Sequence, residues 1–296
     1  MREPFQFEWV LFIFLIIISF FLVFPRIEYL WIYLLIPLMI LWKAKRGYGL
    51  LPITILNWGI AFLLIQVLVT CFFIHDLSIS FPHIVGLLFG ILWFFSLVGI
   101  LDSIQKIKIA TLIFLIVAGS FIIISFFRLG DDPFLGLISF KEDVLITDQQ
   151  KDYLFNEKIG NRNDLMTIGL MIVKSQPWTG LGLNQISKLT IIDNVEYYIP
   201  NHFLNIAAEV GIPGLTAYLS ILLGVGIMII EIWKKGRDIF LKKIVIVLGV
   251  SLFFYLVLGF IFPFPLGAKS GVFYWVLLAL VASIYNYEFG EMKGSL

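Results

Sequence analysis

The chain has 296 residues, of which 60% are hydrophobic and only 14% charged, and its mean hydropathy is +0.99. A soluble domain of this length needs far more charge to cover its surface, so the solvent for most of the chain is lipid. The net charge of +1 identifies no partner as a sum, no nucleic acid is expected, and the single Cys71 excludes an intramolecular disulfide and a thiolate metal cluster.

A bilayer-crossing helix takes about 20 apolar residues, and about 17 can suffice. Eight runs meet or approach that length, at about 7–24, 28–42, 50–74, 84–101, 109–127, 213–233, 244–262 and 271–287. No small-residue cleavage pattern follows the first, since Phe24-Pro25-Arg26 comes next, so it reads as a retained span rather than a signal peptide. The second is short, with Glu28 at its edge. All eight are continuously apolar rather than alternating, which favours helices over a β-barrel.

Positive charge alternates along the connections. Lys43, Lys45 and Arg46, then Lys106 and Lys108, then Lys234, Lys235, Arg237, Lys242 and Lys243 mark three basic ones. Between them come 25–27, 75–83 and 263–270, which are poor in lysine and arginine. The positive-inside rule then puts the basic connections and both termini in the cytoplasm and 128–200 outside. The expected fold is all-α: a polytopic transmembrane helix bundle of about eight spans with one long extracytoplasmic loop containing short helices. Its parts are residues 1–127 with five spans, 128–212 as the loop, and 213–296 with three spans.

Polar residues inside the spans are few. Asn57 and Gln66 are the mid-span examples, and both read as helix-to-helix hydrogen bonds. No carboxylate lies near a span centre, which counts against an ion-coupled pump.

The long loop holds most of the outer charge, including Arg128, Arg162 and Asp164, but keeps Phe134, Leu135, Phe140, Tyr153 and Phe155 among the charges. Those apolar residues disfavour disorder. Leu165–Val173 predicts a short helix of about ten residues, N-capped by Asn163 or Asp164, with Lys174 offsetting the dipole at its C-terminus. It is too short to span and is expected in the headgroup plane or on top of the bundle. Arg162 would sit just before it, either as a solvated loop arginine or as part of a site.

Pro177-Trp178-Thr179-Gly180-Leu181-Gly182 follows. It reads as an ordinary turn or as a nest of exposed amides able to hold an anion. Trp178, Tyr197 and Tyr198 suit the membrane interface, and their faces also suit sugar or lipid. Pro200-Asn201-His202 then opens a helix on which Asn201, Asn205 and Glu209 recur every four residues, with His202 and Glu209 two turns apart. Gly211-Ile212-Pro213-Gly214 should break that helix at the membrane boundary, which requires a packed niche or cavity to satisfy the freed backbone groups.

These residues together carry a family likeness. An arginine, a short helix, Pro-x-x-Gly-x-Gly, a variable stretch and Asn-x-x-Leu-x4-Glu-x-Gly-x-x-Gly resemble the O-antigen ligase and polymerase superfamily. Its members are bacterial inner-membrane glycosyltransferases that handle undecaprenyl-pyrophosphate-linked glycans. The matching positions are Arg162, Pro177, Gly180, Gly182, Asn201, Leu204, Glu209, Gly211 and Gly214. The pattern departs from the family where Pro200, not histidine, precedes Asn201, and where Ser80-Phe81-Pro82-His83 lacks an arginine. Eight spans are also fewer than the family usually has.

The resemblance implies an outward-facing site that transfers or polymerises oligosaccharide units onto a sugar hydroxyl, polymerase being favoured over ligase. It casts His202, Arg162 and Glu209 as catalytic, with Glu209 orienting the histidine, binding acceptor hydroxyls or only pairing within its helix. Arg128, Asn201, Asn205, Trp178, Gly180 and Gly182 would bind substrate. Arginine suits the pyrophosphate because its planar fork grips phosphate oxygens bidentately. No metal and no cofactor is implied. The implied partners are an undecaprenyl-pyrophosphate-linked glycan donor, a sugar or lipid-linked glycan acceptor, the bilayer, and a chain-length regulator or flippase. Competing readings are a lipid-linked oligosaccharide flippase, or another transporter, and a non-catalytic envelope assembly subunit.

Overall fold

The computed structural model describes residues 52–74, 77–127, 162–186, 199–260 and 269–290. Among the described residues there are seven helices and no strand. They are α1 (Asn57–Cys71), α2 (Leu77–Ile100), α3 (Ile104–Phe127), α4 (Arg162–Ser175), α5 (His202–Lys235), α6 (Ile239–Gly259) and α7 (Lys269–Phe289).

Three of these, α2, α5 and α6, are long and apolar enough to cross a membrane, at 24, 34 and 21 residues. The described residues are therefore all-helical with membrane-spanning character. The expected spans 7–24 and 28–42, the basic connection at Lys43–Arg46, and Arg128 lie outside the described residues. Run 50–74 forms a helix over only 15 residues, Asn57–Cys71, on the order of 22 Å long and short of a hydrocarbon core of about 30 Å. Residues 52–56 are kept out of it by a local turn. There Asn57 Oδ1 accepts from both the N–H and the hydroxyl of Thr54, while its Nδ2 donates to the Pro52 carbonyl. Asn57 thus opens α1 rather than joining two helices in mid-span.

Helix α7 is the centre of the bundle. From Tyr274 to Ile284 every side chain is buried, as a helix apolar on all sides requires. It packs most extensively on α2, and also on α3, α5 and α6, while α1 lies along α5. At one end of the bundle, Asn286 Nδ2 donates to the Ile53 carbonyl, and the Glu288 carboxylate accepts from the backbone N–H groups of Arg237 and Asp238. Lys108 lies over the Phe240 ring there, 4.5 Å from its centroid. The Lys106–Lys108 and Lys234–Lys243 connections therefore share this end. Segment 177–186 sits at the opposite end, against the last turns of α1 and the first turn of α2.

The short helix expected over 165–173 is α4, which is longer and starts earlier. Arg162 is its first residue, so Asn163 and Asp164 lie inside the helix rather than capping it. Lys174 is in the last turn as expected. Helix α4 packs Ile172 and Val173 with Ile199, Leu204 and Ala208 around the start of α5, leaving Leu170 and Met171 exposed.

Candidate functional site

The site is built around a break in α5. Gly211 has φ 77° and ψ 174°, a conformation essentially closed to residues with a Cβ. Two residues on, Pro213 has no N–H, so the Glu209 carbonyl loses its helical donor. The break frees several backbone groups, and segment 177–182 takes them up. Leu181 N–H donates to the Ala208 carbonyl and Gly182 N–H to the Glu209 carbonyl, both at 2.9 Å, while Ile212 N–H donates to the Pro177 carbonyl at 2.7 Å. Gln66 of α1 completes the arrangement: its Nε2 donates to the carbonyls of Trp178 (2.6 Å) and Val210 (3.0 Å). The niche required by a broken helix is thus a packed one, filled by the chain's own turn.

The fit is close because glycine meets glycine. Gly180, at φ 63°, lies so near the break that a Cβ there would come within 2.5 Å of the Glu209 carbonyl and 2.7 Å of Gly211 N. The turn is also fastened laterally. Thr70 Oγ1 shares its one proton between the Gln66 and Thr179 carbonyls, Ser80 Oγ donates to the Leu183 carbonyl, and Gln185 Nε2 to Ser80 Oγ.

Beyond the break, the piece from Ile212 to Lys235 is on the order of 36 Å long, enough to cross a bilayer. Before it, Asn201 is the N-cap: its side chain accepts from Leu204 N–H. Its φ of −159° is extended, so it stands outside the helix and off the stripe expected to join it to Asn205 and Glu209. His202, Asn205 and Glu209 do share a face, and all three are buried, at 0%, 0% and 2% exposure.

His202 shows how sharply α5 turns. Sixteen residues separate His202 from Tyr218, about 24 Å along a straight helix, yet His202 Nε2 and the Tyr218 hydroxyl pair at 3.0 Å. Two rings cannot span that gap, so the 202–210 piece is turned sharply across the span at Gly211. His202 consequently sits among three helices. Its ring lies edge-on to Tyr218 of α5 and Tyr255 of α6, with centroids 5.2 and 6.2 Å away, and a Cβ on Gly259 would be 3.3 Å from its own. Tyr274 of α7 backs both tyrosines, at 5.5 and 5.6 Å.

Several expected roles change. Gly180 and Gly182 cannot offer an open amide nest, because Gly180 N–H donates to the Gln176 carbonyl at 3.0 Å and the next two amides are engaged at the break. Glu209 accepts from Asn184 N–H at 3.0 Å, anchoring the turn; it is Tyr218 that holds His202 Nε2. Gln66 bonds helix to helix as expected, through the Val210 carbonyl of α5, and also ties α1 to the turn through the Trp178 carbonyl. Trp178 is 74% exposed, consistent with an interfacial ring. Arg162 begins α4, the helix packed on the 202–210 piece, and so belongs to the same end of the bundle.

Comparison with known proteins finds no matching family model, no matching curated protein and no matching solved structure. The residues missed by sequence reasoning are Tyr218, Tyr255 and Tyr274, together with Thr70 and Gln185. The three tyrosines carried a usable signal: each places a phenolic hydroxyl inside a mostly apolar C-terminal run, where a polar atom needs a partner.

Proposed function

We propose that the chain is a membrane glycosyltransferase of bacterial surface-polysaccharide assembly. It would transfer or polymerise undecaprenyl-pyrophosphate-linked oligosaccharide units onto a sugar hydroxyl at the extracytoplasmic face. The observation that carries this reading is the His202 cluster: a histidine, an asparagine and a carboxylate buried on one face of a broken membrane helix, at the end away from the basic connections. Polar side chains inside a bilayer are costly and mark function by default.

In the proposed step the acceptor hydroxyl oxygen attacks the anomeric carbon of the donor sugar and forms the new glycosidic bond. The bond from that carbon to the pyrophosphate oxygen breaks, and its electron pair leaves with undecaprenyl pyrophosphate. The hydroxyl proton passes to the His202 imidazole. Arg162, and Arg128 outside the described residues, would neutralise the leaving pyrophosphate. Asn205 and Trp178 would bind sugar, while Asn201, Gly180, Gly182 and Glu209 hold the backbone that frames them.

One observation favours a second reading, a non-catalytic assembly subunit: His202, Asn205 and Glu209 are all covered, and the Gly180–Gly182 amides are all engaged. Reconstitution separates the two. With an undecaprenyl-pyrophosphate-linked repeat unit in proteoliposomes, the wild type should lengthen the glycan, and Arg162→Ala and His202→Ala should not. Lengthening that ignores both substitutions would overturn the mechanism; no lengthening by the wild type would favour the assembly reading.

A further inference from the structure

We propose that Tyr218 is a positioning residue for His202, its hydroxyl fixing the orientation of the imidazole across the break in α5. The inference rests on the glycosyl-transfer reading above, in which His202 receives the acceptor's proton.

The two residues meet only because Gly211 turns the 202–210 piece across the span, and their 3.0 Å pair joins the two halves of the broken helix side chain to side chain. Both are fully buried. The surroundings are aromatic and need no hydroxyl for filling: Phe203 lies with its ring centroid 6.3 Å from that of Tyr218, and Trp275 lies 5.4 Å from Tyr274. A buried hydroxyl is costly unless it is bonded, and the Tyr218 hydroxyl, which also lies beside that of Tyr274, pairs with the histidine at 3.0 Å. The ring itself is held from behind by Tyr274. A histidine held at one nitrogen by a fixed partner keeps one ring orientation, as proton transfer in a single geometry requires.

The geometry also separates positioning from catalysis. Tyr218 lies beyond the break, within the spanning piece, with its hydroxyl directed at the imidazole. It acts through His202 rather than on the sugar.

The test compares Tyr218→Phe, His202→Gln and the double variant with the wild type in proteoliposomes. The probe is an undecaprenyl-pyrophosphate-linked oligosaccharide, with release of undecaprenyl pyrophosphate as the readout. A parallel sample labelled with 15N-histidine gives a readout independent of substrate. The chain has three histidines, so the signal lost in His202→Gln identifies His202. The expected result is that Tyr218→Phe stays folded, shifts the His202 ring signals, and lowers kcat at least roughly tenfold with KM within about twofold. In the His202→Gln background the same change should cost nothing further. If His202→Gln is inactive while Tyr218→Phe keeps its kcat, the positioning role is overturned. It is equally overturned if Tyr218→Phe loses activity only in proportion to folded protein. Full turnover by His202→Gln, or none by the wild type, would instead sink the underlying reading.

Discussion

Replacing Gly211 with alanine tests the architecture at its tightest point. At φ 77° and ψ 174° an alanine is strained by roughly 1–3 kcal/mol. Its Cβ would also lie 2.6 Å from the Trp178 carbonyl oxygen and 3.0 Å from that of Pro177. Both carbonyls are acceptors at the break, from Gln66 Nε2 and Ile212 N–H, so moving them away weakens two hydrogen bonds, each contributing about 0.5–1.5 kcal/mol. Straightening the helix gives no escape, since Pro213 cannot supply the Glu209 carbonyl with a donor and the His202–Tyr218 pair would be pulled apart. The expected loss is on the order of 2–5 kcal/mol, read from equilibrium unfolding in mixed micelles. Gly226→Ala is the control on the same helix. Nothing lies within 4 Å of its Cβ position, so it should be neutral or gain up to about 1 kcal/mol from the better helix former. Equal stability of Gly211→Ala and wild type would refute the reasoning.

Gln66→Ala should cost about 1–3 kcal/mol in the same assay, because two buried carbonyls lose their shared donor; an unchanged midpoint would show that α1 does not fasten the turn. Glu209→Gln keeps an oxygen for Asn184 N–H and should retain the fold, whereas Glu209→Ala should lose about 1–3 kcal/mol. Equal losses would mean that the negative charge, rather than the hydrogen bond, holds the turn. In a Cys71→Ser background, a cysteine replacing the exposed Trp178 should react with an impermeant maleimide from outside spheroplasts, and one replacing Lys234 should react only after lysis. The reverse pattern would invert the proposed topology.

The helix break was legible in the sequence, because Gly211 and Pro213 flank one residue, the first weakening a helix and the second unable to donate within one. What was not legible is where the freed groups find partners. That depends on bringing Pro177–Gly182 and Gln66 to the same point, and nothing local to either segment records the meeting. The Gly-x-Gly turn illustrates the difficulty: its amides read as an ordinary turn before an anion nest, and the docked carbonyls of Ala208 and Glu209 bear out the turn. Asn201 was placed on a stripe by four-residue spacing, yet a cap residue lies outside the helical periodicity, so the count began one residue early. Tyr218 was hidden because an expected break gives no direction of turn; only the sharp one at Gly211 removes the roughly 24 Å that a straight helix would put between it and His202.

The most direct measurement is glycan length after incubating proteoliposomes with an undecaprenyl-pyrophosphate-linked repeat unit, comparing wild type with His202→Gln at matched amounts of folded protein. The account predicts a ladder of lengthened products from the wild type and the unextended unit alone from His202→Gln. A ladder of equal length from both would contradict it.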